Sequence, residues 1–466
     1  MEGLVSELVY QVFVDRFRAF GSIPAMPERA SAEGTIRRSW DLAPAQPPRG
    51  IDLYGGNLDG VRASLPHLRE LGVDTLYLTP IFRAPSNHKY DAADYFEVDE
   101  QFGGDAAFER LVRDTREHGL GLVLDGVFNH VGERHAWLTE RPALFRQTNW
   151  RGHGHLREID LQHPDAREAI VGPAGVVRHW IDRGATGWRL DCANDLGPEI
   201  CRLIADAARQ AGARDGTIGE LMAYPAKSAH HDFGGLDGVM NYWIRSCALE
   251  LASGQAPAAQ IQHVLDRLAG ELPLESLLRS WSILSSHDTP RIASVLEGRA
   301  RIEQALALQF AYPGTPMIYY GEEIGMVGGA DPANRAGMIW DEARWDRERF
   351  SFLKKLCLLR KREPALRLGR YLSMPQPGTD LVVFARVTER PSDTILFVAN
   401  ASAAARRSRI FLPLASLFDA LPLRDLVGDA PHHVMEQGCL TVDLPGHGYA
   451  LLKVADDHAS GYRFFK

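Results

Sequence analysis

The chain has 466 residues, of which 45% are hydrophobic and 24% charged, and a net charge of −8. That size and balance suit a globular protein of two or three domains with a core that needs no staples, and the acidic charge argues against a nucleic-acid footprint, which shows as a basic patch. Five cysteines (Cys192, Cys201, Cys247, Cys357 and Cys439) form an odd set without CxxC spacing, so neither a disulfide framework nor a zinc knuckle is expected. No apolar run reaches the roughly 18 residues of a membrane span. The chain opens Met-Glu-Gly without a basic or apolar leader, which predicts a cytoplasmic protein.

Apolar, β-branched runs alternate with helical patterns over the first ~370 residues, the signature of parallel strands joined by helices. Strands are expected at residues 8–14, 73–78, 121–127, 187–193, 217–220, 238–241, 281–286 and 317–320, with helices between them at, for example, 60–71, 106–118, 198–210 and 303–311. Eight such units predict an α/β fold of the (β/α)8 barrel type over residues 1–372. The connection over residues 131–164 is too long for a structureless loop inside a compact domain, so it reads as an inserted subdomain. Beyond residue 372 the apolar runs at 381–386, 394–399 and 440–444 follow one another without helices. They predict a C-terminal antiparallel β-sandwich domain over 373–466.

Four short segments fall where an apolar run turns polar: Asp125-Gly-Val-Phe-Asn-His130, Gly187-Trp-Arg-Leu-Asp191, Gly219-Glu220 and Ser286-His287-Asp288. Carboxylates at the C-terminal ends of successive barrel strands are where this architecture keeps its chemistry. Cleaving a glycosidic bond needs one carboxylic acid to protonate the leaving oxygen and one carboxylate on the other face of the sugar. The strand period of two puts Arg189 and Asp191 on one face and Trp188 and Leu190 on the other. The guanidinium then favours an ionised Asp191, which suits a nucleophile. Glu220, set in an apolar stretch, suits a general acid. Asp288 is placed to stabilise charge on an oxocarbenium-like sugar, and His130 and His287 to donate to sugar hydroxyls. Taken singly, an acid after a strand is most often a helix cap or a surface ion pair; the four segments in order outweigh that reading. Cys192 is expected to pack on the helix side of its strand. The spacing of His153, His155, His163, His230 and His231 fits no standard metal site.

With these residues in view, the chain resembles the α-amylase family of retaining glycoside hydrolases (family 13) along nearly its whole length. The four segments correspond to that family's signature regions. Tyr10-Gln-Val-Phe-Val-Asp-Arg-Phe17, Gly55-Gly-Asn-Leu-Asp59, Tyr77-Leu-Thr-Pro-Ile-Phe82, Ser86-Asn-His-Lys-Tyr-Asp91, the segment from Pro313 to Glu323 and Asp331-Pro-Ala-Asn-Arg335 are similar to further family motifs. The resemblance implies Asp191 as nucleophile, Glu220 as acid/base and Asp288 as transition-state stabiliser. It also implies a substrate-binding set of His88, Tyr90, Asp125, His130, Arg189, His287, Asp331 and Arg335, with Asp125 either structural or sugar-facing and the last Asp and Arg holding the second glucose. The wording is closest to the neopullulanase and cyclomaltodextrinase branch. It differs in starting the barrel at residue 4, where that branch carries an N-terminal β domain, and in reading Glu220-Leu-Met-Ala where the branch has a Trp. The implied substrate is an α-1,4-linked malto-oligosaccharide or related α-glucan, cleaved by hydrolysis with transglycosylation as a second outcome. The alternatives are a glucanotransferase or a trehalose- or sucrose-active relative, and a non-catalytic binding subunit. No cofactor is required by this chemistry, and no nucleic-acid or membrane partner is expected. Asn129 and Asp160 match family ligands for Ca²⁺.

Overall fold

A computed structural model describes residues 8–21, 36–46, 50–222, 235–412, 422–428 and 433–455. Eight parallel strands close into a barrel. In chain order they are β1 (Val9–Val12), β2 (Thr75–Leu78), β3 (Gly121–Gly126), β4 (Gly187–Leu190), β5 (Gly216–Leu221), β6 (Gly238–Asn241), β7 (Trp281–Ile283) and β8 (Thr315–Tyr319). All eight expected strands are present, most of them shorter than their apolar runs. β1 pairs with both β2 and β8, which closes the ring.

The inside of the ring is layered by the two-residue period of its strands. Val9, Tyr77, Val123, Ile218, Met240, Trp281, Ile283 and Met317 form an apolar plug within it. One inward step further along the chain, three of these strands turn polar: Gln11 follows Val9, Asp125 follows Val123 and Glu220 follows Ile218. The outward residues, among them Trp188 and Leu190, join the large core shared with the helices, where Trp188 meets Phe128 edge-on with ring centroids 5.3 Å apart.

The helix expected at 60–71 is two helices, Leu58–Ala63 and Leu65–Leu71. Pro66 has no N–H to donate and crowds the preceding turn, so the chain breaks at Ser64. The first is capped by Asn57, whose side chain accepts the Gly60 N–H at 2.7 Å. The helix expected at 198–210 starts earlier, at Ala193, with a kink at Gly197, whose φ is 77°.

Within 131–164 a small antiparallel sheet joins His130–Gly132, Leu156–Ile159 and Phe145–Asn149. After the barrel comes an antiparallel sheet of eight strands, beginning with Arg370–Ser373, Leu381–Val387 and Ile395–Asn400 and ending with Cys439–Leu444 and Tyr449–Val454. One face carries Val382, Phe384, Phe397 and Leu451 into the barrel's core. The other gathers Val383, Val398, Ile410, Leu440 and Leu452 into a core of its own, as a sandwich-like domain requires.

Candidate active site

Asp125 and Arg189 are register partners on β3 and β4, and both point inward just above the apolar plug. The Arg189 side chain is wholly buried and serves three carboxylates. Its Nη1 donates to Asp125 Oδ1 at 2.8 Å and to Asp191 Oδ1 at 2.9 Å, and its Nη2 lies 3.0 Å from Glu220 Oε1. A planar fork with donors on both nitrogens is suited to holding carboxylates at fixed angles. Asp191 and Glu220 are thereby aimed at the same space, with one oxygen of each within 4.8 Å of the other.

The next turn completes the pair's hydrogen bonding. Cys192 has φ 49°, in the left-handed region. Its N–H donates to Glu220 Oε2 at 3.0 Å, and its thiol donates to Asp191 Oδ2 at 3.1 Å. Tyr242 adds a hydroxyl to Glu220 Oε1 at 3.3 Å. Cys192 therefore lines the cavity rather than packing on the helix side, because the left-handed turn ends the strand's alternation one residue early. Burial pushes Asp191 up to about 7, with the charges of Glu220 and Asp125 acting the same way and Arg189 and the Cys192 thiol opposing. Burial thus outweighs the guanidinium, the reverse of the balance expected from the sequence.

A second network forms the adjoining wall. Tyr90 and His287 stack with centroids 5.5 Å apart and planes 8° from parallel. The Tyr90 hydroxyl donates to Asp125 Oδ2 at 2.8 Å and lies 2.6 Å from His287 Nε2. Asp288 Oδ2 is 3.1 Å from the same nitrogen, and Asp288 Oδ1 is 3.3 Å from Arg335 Nη2. Arg335 also pairs with Asp331 at 3.2 Å. Burial lowers the His88 and His130 imidazoles to about 4 and lowers His287 well below the usual value, so all three are neutral at pH 7.

These groups surround one cavity of about 740 Å³, within the range of small-molecule sites. Asp191, Glu220, Asp288, His88, Tyr90, His130, His287, Asp331 and Arg335 all line it. Asp125 and Arg189, expected among the sugar-binding residues, do not. They lie under its floor at 1% and 0% exposure, holding the groups above them. The inserted sheet supplies a wall that the sequence patterns do not single out: Trp150 stacks on His130 with centroids 4.6 Å apart, and its indole N–H donates to Asp195 Oδ2 at 2.8 Å. The available signal is an aromatic followed by Gly and His in an insertion beside the active-site end of a barrel. His153 and His155 line the same wall, His163 caps the helix Pro164–Val171, and His230 and His231 lie outside the described residues.

The family model for α-amylase, described as "Alpha amylase, catalytic domain", matches residues 11–153 and 150–367. The chain belongs to the α-amylase family. It is 32% identical over 419 residues to a cyclomaltodextrinase from Bacillus sp, covering 84% of this chain and 72% of the relative. Among solved structures, a protein from Thermus thermophilus superposes with a TM-score of 0.83 at 32% identity, covering 96% of this chain and 99% of that one. The cyclic α-maltosyl-(1→6)-maltose hydrolase from Arthrobacter globiformis, in complex with cyclic α-maltosyl-(1→6)-maltose, superposes with a TM-score of 0.80 at 26% identity, covering 97% and 99%. The protein is an α-amylase-family glycosidase, and its cavity lies at the C-terminal end of the barrel, where this architecture keeps its chemistry.

The residues matched to Ca²⁺ do not fit that ion. Asp160 faces the Arg146 guanidinium at 3.6 Å and takes the Gln162 N–H. The main-chain carbonyl of Asn129 accepts the Ile159 N–H at 3.0 Å, and its side-chain amide nitrogen lies 3.5 Å from His130 Nδ1. Calcium takes roughly six to eight oxygens. Among the described residues, Asp160 belongs to no convergent set of three acidic, His or Cys ligands. No helix among the described residues is long and apolar enough to cross a membrane.

Proposed function

We propose that the enzyme hydrolyses α-1,4-glucosidic bonds in malto-oligosaccharides or cyclic α-glucans, with retention of configuration. The observation that carries this is the pair Asp191 and Glu220, held by one guanidinium with oxygens within 4.8 Å. Retaining glycosidases hold their two carboxyl groups about 5–5.5 Å apart, and inverting ones leave room for a water at about 6.5–9.5 Å. In this reading Glu220 protonates the glycosidic oxygen while Asp191 attacks the anomeric carbon, which forms a glycosyl-enzyme ester and frees the leaving sugar. Glu220, now a carboxylate, then takes a proton from water, whose oxygen displaces Asp191. Asp288 stands beside the sugar and stabilises the positive charge of both transition states. Asp331 and Arg335 hold the next glucose, and His88, Tyr90, His130 and His287 the reacting one. The five free thiols support a reducing, cytoplasmic setting. The sheet that starts at Arg370 supports a division into a barrel domain over 1–372, with its insertion at 131–164, and a β domain over 373–466.

The test is product analysis with maltotriose, a cyclodextrin, pullulan, sucrose and trehalose, combined with proton NMR of the first-formed anomer. α-Anomeric maltose or glucose from the first two substrates is the expected result. A β-anomer, or turnover of sucrose or trehalose alone, defeats the reading.

A further inference from the structure

Gln11 sits on β1 one inward step past Val9, just above the apolar plug, and is fully buried. A buried amide is costly unless hydrogen-bonded. Its Nε2 lies 2.7 Å from His287 Nδ1, while its Oε1 is buried without a hydrogen-bond partner. A methionine of similar volume would fill this space without burying an unpaired amide oxygen. The amide group is therefore a poor space-filler, and its one contact is with an imidazole that faces the site.

The protons around that imidazole follow from what each partner has to give. Asp125 Oδ2 receives the hydroxyls of Tyr77 at 2.6 Å and Tyr90 at 2.8 Å. Its other oxygen receives Arg189 at 2.8 Å. Burial raises the Asp125 carboxyl above its ordinary value, but the charge of Arg189 and the three donated hydrogen bonds oppose that. With all three donors aimed at it the group accepts as the anion, which has no proton to return. With its own proton spent on Asp125, Tyr90 can only accept at the 2.6 Å contact with His287 Nε2. That nitrogen must carry the ring's hydrogen. A neutral imidazole has one, so Nδ1 is bare and takes the amide hydrogen of Gln11. The neutral state accords with the burial of His287 and the positive charges of Arg335 and Arg189, set against the opposing charge of Glu220 and the neighbouring Asp288.

We propose that Gln11 is a positioning residue that fixes the tautomer of His287, so that an Nε2–H always faces Tyr90, Asp288 and the bound sugar. Without the amide donor, the ring can move its hydrogen to Nδ1. Nε2 then becomes a lone pair pointed at Asp288 Oδ2 from 3.1 Å, and the cavity loses a donor where charge develops in the transition state. The inference rests on the glycosidase reading for its catalytic consequence, but not for the tautomer itself.

The experiment is long-range nitrogen–proton NMR of the histidine rings in ¹⁵N-labelled full-length enzyme without substrate, with His287 assigned by its absence in His287→Asn. The wild type is expected to show a bare Nδ1 and a protonated Nε2. Gln11→Met is expected to mix the two tautomers and lower kcat about tenfold, the loss of one hydrogen bond, with KM little changed. Gln11→Glu, which can only accept, is expected to place a proton on Nδ1. A protonated Nδ1 in the neutral wild-type ring overturns the proposal. So does a Gln11→Met enzyme in which either the ring pattern or kcat stays as in the wild type. If Gln11→Met fails to fold, the wild-type spectrum and Gln11→Glu still decide. A wild type with the expected ring pattern but no glycosidase activity would defeat the function instead.

Discussion

Asp191 is asked to be buried and charged at once, and its neighbours set the terms. Asn is nearly isosteric and keeps the contact with Arg189, but it cannot form the ester intermediate. Asp191→Asn should therefore lower kcat by several orders of magnitude with the fold intact. More than about a tenth of wild-type activity would remove the nucleophile assignment. The pH dependence follows from the upward shift to about 7. Attack needs the carboxylate, so kcat/KM should fall as pH drops through that region, well above the ordinary aspartate range. Cys192→Ala, which removes a thiol donor from Asp191 Oδ2, should push this acid limb higher still. A pH–rate profile with its acid limb near 4 would show that Arg189 wins after all. The linkage to stability has a definite sign. The folded value lies above the unfolded one, so ionising Asp191 costs stability, none below about pH 4 and the full amount above about 7. The melting temperature of Asp191→Asn should thus gain on the wild type between pH 4 and pH 8.

The segment after β8 divides its work between two residues. Arg335 contacts Asp331, Asp288 and the His287 carbonyl, whereas the Asp331 carboxylate reaches only Arg335 among the ion pairs of the described residues. Asp331→Ala should therefore cut kcat/KM for maltotriose and longer substrates while sparing an activated monoglucoside, because a remote contact is lost. Arg335→Ala should impair both, since Asp288 also loses its partner. Kinetics on the two substrates separate these outcomes; equal losses in Asp331→Ala would give Asp331 a structural role. In the insertion, the contact of Asp160 with Arg146 puts a positive charge where a calcium cage would need oxygens. EDTA should leave both activity and melting temperature unchanged, and a drop in either restores calcium.

The barrel is legible in the sequence because its strands are apolar and its acids sit at their ends. The same rule fails where a local turn overrides periodicity. Alternation carried two residues past Leu190 puts Cys192 on the helix side, but the left-handed turn begins there. The resemblance places Asp125 and Arg189 among the sugar-binding residues, but neither it nor the inward facing of a strand residue reveals depth; layers of side chains separate plug from cavity, and sequence gives only direction. Trp150 and the strands of the C-terminal sheet outside 381–400 and 439–444 escape for another reason. They lie mostly in brief or polar runs such as Pro422–Asp425, whose pairing is dictated by neighbours remote in the chain.

At the scale of the molecule, sheet and barrel are joined by polar contacts sunk in an apolar interface. Gln304 Nε2 donates to the Asn400 carbonyl at 2.8 Å, Gln262 accepts the Val383 N–H at 2.9 Å, and Lys453 reaches Glu363 at 2.6 Å. Arg386, fully buried, donates to the carbonyls of Gly369 and Ala311. Arg386→Ala would leave both carbonyls without their donor and open a cavity, so a loss of about 3 kcal/mol is expected. Because the interface shares the barrel's core, urea unfolding should remain a single transition for barrel and sheet. Two separated transitions in the wild type would show that the sheet is an independent appendage.

Arg16, one turn past β1, donates through Nη1 to the carbonyl of Arg335 at 2.6 Å, and Met338 N–H returns to the Arg16 carbonyl at 2.8 Å. Trp340 Nε1 closes onto the Phe17 carbonyl at 2.6 Å. The far wall of the sugar cavity is thus a seam between the two ends of the barrel, stitched across roughly three hundred residues of chain. A growing polypeptide carries all three acids once Asp288 has been made, yet it lacks the wall proposed to hold a second glucose until the last strand has docked on the first. Affinity for an oligosaccharide is therefore a gauge of ring closure: a chain that binds one well has already completed its circle.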